Sequence, residues 1–132
     1  MKQAVAVIIR QAGKFLLIKR AKKDAAEDYW CPITGAVEPG ETQEQAVKRE
    51  AFEEMGIEVT PIKKVWECHT HDDKYVLHWW SAEMRASRIR MNLQEVKAYK
   101  WLSYEQMKRI PKMFKTDLEF FKNAARLRET AE

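Results

Sequence analysis

Cysteine is scarce in this sequence. Its two residues, Cys31 and Cys68, make no disulfide framework. The chain must therefore rely on a hydrophobic core, and reduced thiols point to a cytoplasmic setting. Glycine and proline number four each, which excludes collagen-like and low-complexity architectures. Long apolar runs are also missing. The longest near the start, residues 4–9, is too short for a signal sequence or a membrane span. There is no internal repeat, no linker, and no helix-turn-helix, zinc-finger or RNA-binding signature, so neither a membrane nor a nucleic acid is expected as partner. Acidic residues are thin over one stretch: residues 85–115 hold nine basic side chains against Glu95 and Glu105. That stretch either solubilises the chain or steers a polyphosphate towards an acidic site.

What remains is ordinary for a globular protein. The 132 residues are 45% hydrophobic and 33% charged, with a net charge of +4. They suffice for one core and predict a single domain over residues 1–132. Residues 4–10 and 14–20 are β-rich and flank Gln11-Ala12-Gly13, which predicts a hairpin. Residues 21–29 read as a loop and 30–33 as a short strand. A second hairpin is expected from residues 64–71 and 75–84 about Asp72-Asp73-Lys74, then a basic loop over 85–94 and a strand over 98–102. Three Ser/Thr-x-x-Glu/Gln patterns, at Thr42, Ser103 and Thr116, each predict the start of a helix. Leu118, Phe121 and Ala125 give the last helix an apolar face. Helices and hairpin-linked strands together imply an α/β (α+β) fold with a mixed sheet.

The helix predicted from Thr42 to Gly56 carries the chemistry. Val47, Ala51 and Met55 form its apolar stripe. Glu50, Glu53 and Glu54 share a neighbouring face at spacings of three and four, in the last two turns. Like charges at those spacings repel, and the C-terminal end of a helix dipole favours cations. An acidic face placed so unfavourably, between the turns at Gly40 and Gly56, predicts a site neutralised by a divalent cation. Oxygen ligands suit Mg²⁺ or Mn²⁺ and do not suit zinc.

Residues 35–57 resemble the Nudix box: Gly, five residues, Glu, seven residues, Arg-Glu, two residues, Glu-Glu, one residue, Gly and an aliphatic. Gly35, Glu41, Arg49, Glu50, Glu53, Glu54 and Gly56 fill all seven fixed positions. At ordinary residue frequencies, chance gives this about once in 10⁸ start positions. The resemblance implies a Nudix-type α/β/α sandwich and a pyrophosphohydrolase of nucleoside triphosphates or related nucleoside diphosphate compounds. It also implies metal held by Glu50, Glu53, Glu54 and the Gly35 carbonyl, one carboxylate acting as general base, and Arg49 bracing the site. Arg49 is spaced to pair with Glu53, and Glu41 is a second candidate partner. Residues 95–102, with Glu95 ahead of Ala-Tyr-Lys-Trp-Leu, are similar to a stretch in Nudix dihydroneopterin triphosphate and deoxynucleoside triphosphate pyrophosphohydrolases. They make Glu95 a candidate fourth carboxylate.

Outside the box, Arg20 ends a predicted strand where similar enzymes carry a residue that contacts phosphate. Lys19, on the opposite face of that strand, is a further candidate for substrate binding, as is Trp30 for stacking on a base. Trp79 and Trp80 must point to opposite faces. His69 and His71 are expected to share a strand face, as substrate contacts or surface residues. The expected partner is a small nucleotide or pyrophosphate compound, with room for a homodimer. Two alternatives share the fold: a nucleotide sensor without hydrolysis, whose signature would be lost box carboxylates, and an isoprenyl diphosphate isomerase, for which Cys31 lies near the site.

Overall fold

Alternation along the first strand sends Val5 and Val7 to one side and Ala4, Ala6 and Ile8 to the other, and both sides are buried. In the computed structural model the backbone is described for residues 1–85 and 88–131, and side chains up to residue 125. Residues 86 and 87 of the predicted basic loop lie outside the described residues. The elements are β1 (Lys2–Ile8), β2 (Arg10–Gln11), β3 (Lys14–Arg20), β4 (Trp30–Cys31), β5 (Ile33–Ala36), α1 (Gln43–Met55), β6 (Val59–His69), β7 (Tyr75–Met84), β8 (Val96–Leu102), α2 (Tyr104–Met107) and α3 (Lys115–Ala131). One sheet has the order β5-β1-β7-β6 and is mixed, with β1 parallel to β7 and the other pairs antiparallel. In the second sheet β3 pairs with β8 along one edge and with β2 and β4 along the other.

Three expectations need correction. The first hairpin exists only at its tip, where Arg10 faces Phe15 and Gln11 faces Lys14. Beyond it β1 leaves for the other sheet, because hydrophobic alternation identifies a buried strand but not its partner. The predicted strand at 30–33 is divided by Pro32, which has no N–H to donate; Trp30 and Cys31 pair with β3, whereas Ile33 onward pairs with β1. Finally, α3 begins at Lys115, and the Leu118 N–H bonds the Phe114 carbonyl. Thr116 therefore lies inside the first turn and is no cap, and the inward face is Asp117, Phe120 and Phe121, with Leu118 half-buried.

Helices cover both faces of the strands. Val47, Ala51 and Met55 of α1 pack with Val5, Val7, Ile9 and Ile33. On the other side Phe120, Phe121 and Met107 pack with Ala6, Ile8, Leu17 and Trp79. Trp79 lies against Phe120 with ring centroids 4.4 Å apart, and Phe15 meets Phe121 at 4.8 Å. Trp80 takes the α1 side and donates from Nε1 to Gln43 Oε1 at 2.9 Å. The result is the expected α/β/α sandwich. Among the described residues no helix is long and apolar enough to cross a membrane.

Candidate active site

The helix that carries the glutamates is fixed at both ends. At its start the Thr42 side chain accepts from the Gln45 N–H while Gln45 Oε1 accepts from the Thr42 N–H, a complete capping box. At its end Gly56 turns the chain at φ 64°, a conformation that favours glycine. No basic residue occupies the last turn. Instead a distant segment supplies donors: the Arg90 N–H reaches the Met55 carbonyl at 2.8 Å, and the Asn92 N–H reaches the Glu54 carbonyl at 2.9 Å. These would otherwise be orphan carbonyls of the helix end. A side chain at Gly56 would come within 2.8 Å of Arg90 Cβ.

Arg49 organises the carboxylates. Its Nε donates to Glu41 Oε2 at 2.7 Å and its Nη2 to Glu41 Oε1 at 3.0 Å, a two-pronged pair. Its Nη1 donates to Glu50 Oε1 at 2.7 Å and to Glu53 Oε2 at 3.1 Å, and Nη2 also reaches the Ala36 carbonyl at 2.8 Å. All five guanidinium N–H groups are thus used. Hydrogen bonding to Glu41 is the largest influence raising the Arg49 pKa, and the same bond holds the Glu41 carboxyl below the ordinary range.

Glu50 lies tight against the backbone of Gly35. A Cβ at residue 35 would overlap the Glu50 carboxyl, which explains glycine there without any appeal to backbone angle. Glu54 is buried, at 5% exposure, one helical turn beyond Glu50 on α1. Burial above all, then the neighbouring Glu50 and the charge of Glu95, push the Glu54 pKa well up, with Arg20 opposing them.

Glu50, Glu53 and Glu54 line an open cleft of about 1000 Å³ together with Gly35, Arg20 and Glu95. Arg20 donates from Nη2 to Asp24 Oδ2 at 2.9 Å, while its buried Nε has no hydrogen-bond partner. The Glu95 carbonyl accepts from the Ala21 N–H at 2.9 Å, so the loop after Arg20 and the loop before β8 meet here. Cys31 also lines the cleft but is 3% exposed, and burial pushes its thiol pKa far up. Lys19 and Trp30 face each other in the β3–β4 register and are not among the cleft-lining residues. Trp30 lies beneath Lys100, whose Nζ is 5.1 Å from the ring centroid.

The two surface histidines do not share a strand face as expected. β6 ends at His69, whose Nδ1 is 3.4 Å from Asp73 Oδ1. His71 lies in the turn beyond and stacks on Phe114 at 4.7 Å, with Tyr29 stacked on the same ring at 4.7 Å. Asp117 is a cleft residue that the sequence did not reveal. It is 5% exposed, and burial raises its pKa to about 7. Its signal was hidden because Thr116 and Glu119 read as a capping pair around it.

The donor set fits a hard divalent cation. A buried carboxyl crowded by other carboxylates, in a cleft of carboxylate and carbonyl oxygens, gains most from a dication that neutralises them. No three His, Cys, Asp or Glu side chains among the described residues close into a ready-made metal cage.

Comparison with known proteins gives the same direction. The NUDIX domain family model matches residues 1–124. The CTP pyrophosphohydrolase of Escherichia coli (strain K12) is 32% identical over 111 residues, spanning 84% of this chain and 82% of that protein. The asymmetrical bis(5'-nucleosyl)-tetraphosphatase of Mus musculus is 33% identical over 86 residues, spanning 59% of this chain and 58% of that protein. Among solved structures, the MutT protein from Methanosarcina mazei Go1 superposes with a TM-score of 0.81 at 22% identity, over 96% of this chain and 94% of that one. A complete glutamate motif on a capped helix, a sandwich that places it in an open cleft, and a family model covering nearly the whole chain lead to one conclusion: the chain belongs to the Nudix family of hydrolases that act on pyrophosphate bonds.

Proposed function

We propose that this protein is a Mg²⁺-dependent pyrophosphohydrolase that cleaves a phosphoanhydride bond of a nucleoside triphosphate or a related nucleoside diphosphate compound. One observation supports this most: Glu50, Glu53 and the buried Glu54 line one open cleft together with Gly35, Arg20 and Glu95. Glu50, Glu53, Glu54 and the Gly35 carbonyl would hold the metal. A bound dication supplies charge neutralisation at the phosphate oxygens and lowers the pKa of water. The chain's own groups do the rest. Arg49 holds Glu50 and Glu53 in place, one of the cleft carboxylates accepts the proton of the attacking water, and the Arg20 guanidinium at the cleft attracts a phosphate oxygen. Glu95 joins the cleft as a further carboxylate. Retention of every box carboxylate argues against a sensor without hydrolysis, and a buried, protonated Cys31 argues against an isomerase that would use it.

The test is a panel of nucleotides, dinucleotides and nucleotide sugars incubated with Mg²⁺, with product identification. A triphosphate should yield a monophosphate and pyrophosphate. Chelation should abolish turnover, Mg²⁺ or Mn²⁺ should restore it, and Glu53→Gln or Glu54→Gln should remove most activity with the fold intact. Undiminished turnover in metal-free buffer, or in both variants, would overturn the proposal.

A further inference from the structure

Asn92 sits at an unusual junction. Its N–H donates to the Glu54 carbonyl at 2.9 Å, and its own carbonyl accepts from the N–H groups of Glu95 at 2.9 Å and Val96 at 2.8 Å. Its side-chain Oδ1 accepts from the Gln94 N–H at 3.2 Å. The last bond is the Asx-turn pattern for which Asn is suited. One residue is therefore bonded to the backbone of both Glu54 and Glu95, two carboxylates of the same cleft that come from elements far apart in sequence. Neighbouring contacts stiffen the junction. Arg90 bonds the end of α1 two residues earlier, Gly56 leaves no space between the helix end and Arg90, and the Glu95 carbonyl holds Ala21 beside Arg20.

We propose that Asn92 is a positioning residue that sets the separation of the Glu54 and Glu95 carboxylates, and through it the affinity of the cleft for a divalent cation. The inference rests on the reading that both carboxylates act in the cleft. Backbone bonds place Asn92 against Glu54, and the side-chain bond fixes the turn that presents Glu95. Removing Oδ1 frees the turn while leaving the helix cap in place. The Asn92 side chain is exposed, so its truncation removes no core packing.

Asn92→Ala, Asn92→Ser, Glu95→Gln and the double variant Asn92→Ala/Glu95→Gln test this. Mn²⁺ affinity of the free protein is read by water-proton relaxation, alongside kcat, KM and Tm. In Asn92→Ala we expect Mn²⁺ affinity and kcat each to fall roughly 10-fold, the lower part of the range usual when a group supporting a metal ligand is lost. KM for the nucleotide should stay within about twofold of wild type. Asn92→Ser, whose hydroxyl can accept the same N–H, should recover most of both losses. The double variant should be no worse than Glu95→Gln alone, because Asn92 acts through Glu95. A purely structural residue would lower Tm in both Asn92 variants and leave the Mn²⁺ affinity of the folded protein unchanged; that result overturns the proposal. Wild-type turnover and Mn²⁺ affinity in Glu95→Gln would remove Glu95 from the cleft chemistry and the positioning role with it. A defective Glu95→Gln beside a fully competent Asn92→Ala would overturn the positioning role alone.

Discussion

Arg49 shows how much one residue decides. It bonds three carboxylates and a main-chain carbonyl with five donors in a planar fork. Lysine has three donors on a single atom and cannot span that set. Arg49→Lys should therefore lower kcat roughly 10- to 100-fold, as loss of a group that orients metal ligands does, and change nucleotide affinity much less. Steady-state kinetics beside a binding titration separates the two, and wild-type kcat would reduce Arg49 to a surface charge. Its partners were unequally legible. Glu53 follows from the i,i+4 spacing and Glu41 from the preceding turn. Glu50 does not, because adjacent side chains on a helix do not face each other. Here Arg49 reaches Glu50 only because the carboxyl is pulled over Gly35. Asp117 was not legible at all, since a lone acid in a capping pattern looks solvated until the sheet buries it. Lys19 and Trp30 show the converse: a plausible type at a strand end says nothing about which cleft it borders.

At the scale of elements, features set by residues near in sequence are legible and those set by distant residues are not. Two of the three capping boxes form as the sequence predicts, at Thr42 and Ser103, because they need only residues three apart. The third fails because Phe114 starts the turn earlier. Strand existence was visible in alternation, but the division of the first and third predicted strands between two sheets was not, since pairing depends on residues far away. The cap on the end of α1 comes from residues 90 and 92, which no local pattern announces. The β2–β3 turn carries a local conflict that can be relieved. Ala12 and Gly13 occupy its two central positions with φ 50° and 76°, and the first is unfavourable for alanine. Ala12→Asn should stabilise the protein by about 0.5–1 kcal/mol, because Asn tolerates the left-handed region and Asn-Gly suits this turn. Denaturant unfolding reads the change, and an unchanged or lower midpoint would contradict it.

For the molecule as a whole, the α3 side is a dense aromatic layer around Trp79, Phe120 and Phe121, and Asp117 is the acid buried beside it. Its folded pKa of about 7 stands above the unfolded value of 3.8 because of burial. Below pH 3.8 both states hold the proton and stability is unaffected. Between 3.8 and about 7 the unfolded chain loses the proton while the fold keeps it, so this group makes stability fall as pH rises. Above that window the full cost stands, at most about 4 kcal/mol. Asp117→Asn should consequently have a Tm close to wild type at pH 4 and a growing advantage up to pH 8. A difference that does not widen with pH would show that Asp117 titrates as an ordinary surface acid. Cys31 has a separate consequence. A thiol must ionise before peroxide, disulfides or alkylating reagents can attack it quickly. Cys31 borders the cleft yet is held protonated by its burial within β4. A hydrolase cleft lined by such a sulfur resists oxidation at that point, where a thiolate in the same place would be converted to sulfenic acid.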